Sequence, residues 1–188
     1  MKLKTAMKAV LGLFAAMLTA SGLYLALLQF SGNFHEVIPG TYYRSAQLSG
    51  RTLETYIQRY GIRTVINLRG ASPGTNWYDE EIIATHASGA GHIDFALSAT
   101  RELSVERSLE LAALLRAAPK PVLVHCRAGA DRTGLASVVF LQQVEGMDES
   151  VAESQLSLVF GHVGLPFVKA YAMDRSWESL ERKLGLKS

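Results

Sequence analysis

The chain has one cysteine, five prolines and two tryptophans among 188 residues. A single thiol, Cys126, excludes an internal disulfide, so cysteine usage points to no particular redox compartment. An excess of charge of either sign is also missing. Nineteen Lys and Arg against 17 Asp and Glu leave a net +2, which gives no basis for a nucleic-acid partner. No internal repeat, low-complexity tract or composition shift marks a second domain, and the length suits one domain with its own core. From Ala9 to Phe30 charge is absent altogether. About 22 helical residues cover about 33 Å, close to the hydrocarbon thickness of a bilayer. Lys2, Lys4 and Lys8 precede this run, and no Lys or Arg follows until Arg44. The positive-inside tendency therefore leaves residues 1–8 in the cytoplasm. Residues 9–30 read as a single-pass anchor in the cytoplasmic (inner) membrane and 31–36 as a linker. Residues 37–188 read as a folded domain on the extracytoplasmic, periplasmic side. A cleaved signal peptide is the alternative, with Ala20-Ser21-Gly22 as a cleavage site, although apolar residues continue through Leu28.

The rest of the chain alternates short apolar runs with helical patterns. Strands are expected at Thr41–Arg44, Thr64–Leu68, His92–Leu97 and Pro121–Val124. Helices are expected at Leu53–Tyr60 with Thr52 as N-cap, at Trp77–Ser88 capped by Asn76, and from Ser104 through Arg116. Further helices are expected after residue 132 to about Glu145, from Glu149 to Leu158 capped by Asp148, and over Phe167–Leu184. Asp79, Glu80 and Glu81 suit the first turns of the second helix as partners of its dipole. This order predicts an α/β fold, a mostly parallel central sheet flanked by helices and preceded by one transmembrane helix.

The chemistry concentrates in His125-Cys126-Arg127-Ala128-Gly129-Ala130-Asp131-Arg132-Thr133-Gly134. An apolar strand precedes it and an apolar helix follows, so Cys126 sits where a parallel strand ends, the position at which such sheets gather ligands. Gly129 and Ala130 keep the loop small enough for its amides, from Arg127 through Arg132, to converge on an oxyanion at a helix N-terminus. The same field favours a Cys126 thiolate. Arg132 offers a planar fork of donors suited to phosphate oxygens. Arg69, ending the Thr64 strand, can add positive field at the same sheet edge.

This segment resembles the signature loop of the protein tyrosine phosphatase superfamily: His-Cys, five residues, Arg, then Ser or Thr. Val37 to Phe160 resembles a compact bacterial dual-specificity phosphatase domain. Pro39-Gly40-Thr41-Tyr42-Tyr43-Arg44-Ser45 and Gly61-Ile62-Arg63-Thr64-Val65-Ile66-Asn67-Leu68-Arg69 carry the likeness. No Lys-Asn-Arg-Tyr segment, of the sort that deepens the pocket in tyrosine-specific members, is present. The resemblance implies metal-independent phosphomonoester hydrolysis through a cysteinyl-phosphate, with no cofactor. It implies a structural His125 that bonds the loop backbone and a Thr133 hydroxyl that assists the departing thiolate. It also implies an acid that protonates the leaving oxygen, for which three residues compete. Glu102 lies on the loop Ser98–Ser104, which has no Asp. Asp94 lies at the expected distance before Cys126. Asp131 lies inside the signature loop, where myotubularin-like members also carry Asp. The substrate would be a phosphorylated protein or a phospholipid. The alternatives are a membrane-tethered pseudophosphatase that only binds phosphorylated partners and a rhodanese-like sulfurtransferase, which the Arg-Thr-Gly ending disfavours.

Overall fold

A computed structural model of the chain describes residues 2–186, with the side chains of residues 2–5 and 9 outside the description. Lys2 and Lys4 of the expected cytoplasmic segment, and the last two residues of the expected domain, thus carry no side-chain statement. The elements run α1 (Lys2–Phe30), β1 (His35–Ile38), β2 (Tyr42–Ser45), α2 (Gly50–Tyr60), β3 (Thr64–Asn67), α3 (Asn76–Ala87), β4 (Gly91–Asp94), α4 (Val105–Ala117), β5 (Val122–His125) and α5 (Asp131–Val139). A π-helical turn at Phe140–Val144, α6 (Glu149–Glu153), 3-10 turns at Leu158–Phe160 and Lys169–Tyr171, and α7 (Ala172–Leu184) complete the chain.

The five strands form one sheet in the order β1-β2-β5-β3-β4. Only the β1/β2 pair is antiparallel, and β2, β5, β3 and β4 are parallel. Side chains alternate across it. Tyr42, Ile66, Val122 and Val124 face α4, α5 and α7, where Leu111, Leu115, Leu135, Val138, Met173 and Leu180 close the larger core. Tyr43, Val65 and Leu123 face α2 and α3, meeting Leu53, Ile57 and Ala84. Both faces are covered, which is why β3 and β5 are buried along their whole length. Each fully buried aliphatic side chain contributes about 1.5–3 kcal/mol of apolar transfer.

Several boundaries differ from the sequence expectation. Ser49, not Thr52, caps α2, its hydroxyl accepting from the Thr52 amide, and Gly61 ends the helix at φ 63°. Thr75, not Asn76, precedes α3. Asp148 makes no side-chain cap bond, and α6 stops at Glu153, five residues before the expected end. β4 stops at Asp94, three residues before the expected end. Residues 31–36 are not a free linker. Asn33 is fully buried, with φ 43°, and His35 and Glu36 already belong to β1.

α1 includes Ala6–Phe30, 25 residues whose most apolar 18-residue stretch has a mean hydropathy of 2.0, long and apolar enough to cross a membrane. A membrane anchor and a signal sequence share those properties. Its last turns rest on the domain: the Tyr24 hydroxyl donates to the Val159 carbonyl (2.6 Å), and the Gln29 amide donates to the Ala128 carbonyl (3.3 Å).

Candidate active site

β5 delivers Cys126 to the C-terminal edge of the sheet, where the thiol is buried. The next four residues turn sharply into α5, which begins at Asp131. Every carbonyl of this turn is taken from outside. The Arg127 carbonyl accepts from the Gln47 amide (3.3 Å), and that of Ala128 from Asn33 Nδ2 (2.9 Å). The Gly129 and Ala130 carbonyls accept from Arg44 Nη2 (2.9 and 3.3 Å). With the oxygens held outward, the amides point the other way. Among the described residues, no amide from Arg127 to Arg132 donates to a protein acceptor. Six unpaired N–H groups at the start of a helix make a cradle for an oxyanion.

Gly129 is the residue that lets this turn exist. Its φ is +69°, and an added Cβ would lie 2.5 Å from the Ala46 nitrogen and 2.6 Å from the Ser45 carbonyl carbon. The loop is pressed onto the end of β2 more closely than any side chain permits.

Arg44 does the positioning. It is fully buried in β2. One nitrogen holds the Gln155 carbonyl and side-chain oxygen (2.9 Å each), the other holds the loop, and the guanidinium lies 3.9 Å from the centre of the Phe160 ring. Burial pulls its pKa down to about 10, still charged at neutral pH.

Arg132 opens α5 on the other side of the turn. Its Nη1 reaches the Leu68 and Leu97 carbonyls only at 3.4 Å each, and its Nε is buried with no partner among the described residues. A buried donor without an acceptor is costly, and a phosphoryl oxygen in the cradle would supply one. Arg69 stacks over Trp77 (3.3 Å to the ring centre) and donates to Gln47 Oε1 (2.9 Å). Burial and then the fields of Arg132 and Arg127 lower its pKa, so three guanidinium groups share this edge. The Arg127 side chain itself is exposed. The Thr133 hydroxyl is fully buried and unpaired.

Among the described residues the His125 ring bonds no loop backbone group: its Nε2 lies 3.1 Å from Glu81 Oε1, and its Nδ1 has no partner. Glu81 is no surface partner of a helix dipole either. It is 1% exposed and also meets His92 Nε2 (2.7 Å) and the Gln47 amide (2.5 Å). Burial raises its pKa, but the bonds from His125, His92 and Gln47 outweigh burial and hold the carboxyl at about 2.

The three acid candidates have different surroundings. Asp94 accepts from Asn67 Nδ2 (2.7 Å) and from the Tyr78 hydroxyl (2.6 Å), so both its oxygens are engaged at the strand end. Glu102 faces Arg175 of α7 (2.5 Å), and both side chains are about half exposed. Asp131 Oδ1 lies 2.8 Å from His162 Nδ1, and His162 Nε2 lies 2.9 Å from Asp174 Oδ2. Among the described residues Asp131 Oδ2 has no hydrogen-bond partner.

His162 is wholly buried between these carboxylates. Burial lowers its pKa, but the two carboxylates reverse that and raise it from 6.5 to about 9. A raised cation stabilises the fold fully below about pH 6.5 and loses that contribution as pH climbs through about 9. Tm is therefore expected to fall between those limits. His162→Gln should lower Tm at pH 6 and remove the step, and an unchanged alkaline profile in that variant would contradict the assignment.

Asn33, Gln47, Glu81, His162 and Asp174 escaped the sequence reading. None sits near Cys126 in the chain, and each is polar in a stretch read as linker, loop or helix surface. Arg44 lay in a segment already associated with the fold, although nothing local showed that its partner is the loop.

The fold is shared with solved phosphatase structures. P. aeruginosa TpbA superposes with a TM-score of 0.62 at 24% identity, covering 82% of this chain and 92% of that one. Tk-PTP does so at 0.60 and 19%, covering 80% and 97%. PTPMT1 does so at 0.59 and 14%, covering 81% and 98%. At these identities the likeness is one of fold. TpbA has been crystallised with phosphotyrosine and PTPMT1 with PI(5)P. Among curated proteins no sequence relative is found. The chain belongs to the tyrosine phosphatase family, whose model matches residues 29–154.

Proposed function

We propose that this protein hydrolyses phosphomonoesters through Cys126, in the manner of a dual-specificity protein phosphatase, from an anchored position on the periplasmic side of the inner membrane. The observation that carries the reading is the turn of six unpaired amides, with every carbonyl from Arg127 to Ala130 bonded elsewhere, lying between a thiol and an unsatisfied guanidinium. The Cys126 thiolate attacks phosphorus, and the bond to the leaving oxygen breaks. The Asp131–His162 pair gives that oxygen a proton, delivered at the free oxygen of Asp131. The pair then takes a proton from water, which displaces Cys126 and releases inorganic phosphate. The Thr133 hydroxyl, by the family resemblance, bonds the departing sulfur. Amides and Arg132 neutralise the equatorial oxygens, the charge that a metal would otherwise meet.

Hydrolysis of an aryl phosphate in excess chelator, blocked by vanadate, is the expected result. A requirement for added metal would sink the proposal. Asp131→Asn should lose about 10²–10⁴-fold in rate on a poor leaving group such as an alkyl phosphate, and little on an activated aryl phosphate. Asp94→Asn and Glu102→Gln should not show that split. If either does, the acid is reassigned to it.

One contact favours a second substrate class. Gln29, in the last turn of α1, donates to the signature-loop carbonyl of Ala128. A loop that touches the end of an anchor lies beside lipid headgroups, so a phospholipid monoester is the alternative substrate. Parallel assays on phosphopeptides and on phosphorylated lipids in vesicles separate the two.

A further inference from the structure

We infer that the turn Leu158–Phe160 is a second membrane contact, a lipid-immersed wedge beside α1 that holds the signature loop at the bilayer surface. The inference rests on the anchoring reading above.

From Ser154 to Val168 there is no Asp, Glu, Lys or Arg. The run nevertheless does not fill the core: Leu158 is 64% exposed and Val159 58%. Both face α1. Together with Ala20, Ser21, Tyr24 and Leu25 they line an open cleft of about 410 Å³. Just beyond the turn, an added Cβ on Gly161 would lie 3.5 Å from the side chains of Leu25 and Leu28.

Depth follows from helix geometry. A spanning stretch needs about 20 residues; counted from the last lysine before the run, Lys8, it ends at Leu28. Ala20 then lies about 12 Å below that boundary at 1.5 Å per residue. Side chains packed beside Ala20 and Ser21 cannot stay in water while those residues are in lipid.

The carbonyls of the turn are prepared for that setting, while the Leu158 and Val159 amides have no acceptor among the described residues. Unsatisfied carbonyls are costly away from water, and here none from Ser157 to Phe160 is left open. The Ser157 carbonyl accepts from the Phe160 and His162 amides, and that of Leu158 from the Gly161 amide. The Val159 carbonyl accepts from the Tyr24 hydroxyl (2.6 Å), and that of Phe160 from Asn33 Nδ2 (2.9 Å). The same Asn33 nitrogen holds the Ala128 carbonyl, so the turn and the signature loop are tied through one side chain. His162, two residues further on, bonds Asp131.

The lone cysteine makes the test direct. On a Cys126→Ser background, the full chain carries a nitroxide at Leu158→Cys, with Val159→Cys as a second position. Ala20→Cys reports the anchor and Ile83→Cys, on the exposed side of α3, reports solvent. Each variant is placed in phosphatidylethanolamine–phosphatidylglycerol vesicles, with tungstate-dependent thermal stabilisation as the check of folding. The Leu158 and Val159 labels are expected to collide more with oxygen than with a water-soluble nickel chelate, as the Ala20 label does, and Ile83 to show the reverse. A lipid-facing Ala20 label with water-facing labels at both turn positions overturns the wedge and leaves the anchor standing. Water-facing labels at all positions overturn the anchor and the wedge together.

Discussion

Cys126→Ser is expected to reduce turnover of an aryl phosphate by about three orders of magnitude or more while leaving oxyanion binding in place. A serine hydroxyl has the shape to sit at the end of β5 but is a far weaker nucleophile than a cysteine thiolate. The amide cradle does not depend on the sulfur. Its carbonyls are held by Gln47, Asn33 and Arg44, none of which hydrogen-bonds to residue 126 among the described residues. Tungstate should therefore still raise the Tm of the variant, and Arg132→Ala should lose that stabilisation because the buried guanidinium no longer meets the oxyanion. Comparable activity in wild type and Cys126→Ser would refute the covalent mechanism outright.

The second large effect is expected from a single methyl group. Gly129→Ala places a Cβ within 2.7 Å of three backbone atoms of Ser45 and Ala46 and demands a φ of +69° from a residue that resists it. Backbone cannot swing aside as a side-chain tip can, so either β2 or the loop must move. Misplacing even one or two of the converging amides should cost about 10²–10³-fold in kcat, the scale measured for loss of single oxyanion donors. Gly61→Ala is the matched control. Gly61 also has a positive φ (63°), but an added Cβ there meets nothing within 4 Å. It should cost about 1 kcal/mol of stability and no activity. Equal losses of activity in the two variants would show that backbone strain alone, rather than the fit of the loop against β2, sets the rate.

What could be read from the order of residues was whatever is local. The strand, turn and helix around Cys126 follow from an apolar run, small residues and a second apolar run within about twenty positions. The spacing of Cys126 and Arg132 is contained in a single turn, so it needs no other part of the chain. The parallel sheet follows from alternation of strand and helix patterns, and α1 from 22 uncharged residues in a row. Misplaced caps at Thr52 and Asn76 were errors of one to three residues between equally good capping side chains, a choice that packing decides.

What the sequence by itself determined is the chemistry available: one thiol, one guanidinium and a loop able to bind an oxyanion, set after an apolar segment able to enter a membrane. What only the tertiary structure decided is which groups hold that loop and where it sits. Arg44 reaches Gly129 across 85 residues and Glu81 reaches His125 across 44. Asn33, in a stretch that reads as linker, is buried against Ala128 and Phe160. Such pairings have no periodicity or spacing, because the interaction depends on how strands order in the sheet. That order, β1-β2-β5-β3-β4, brings β2 beside β5 and sets a buried arginine under the signature loop.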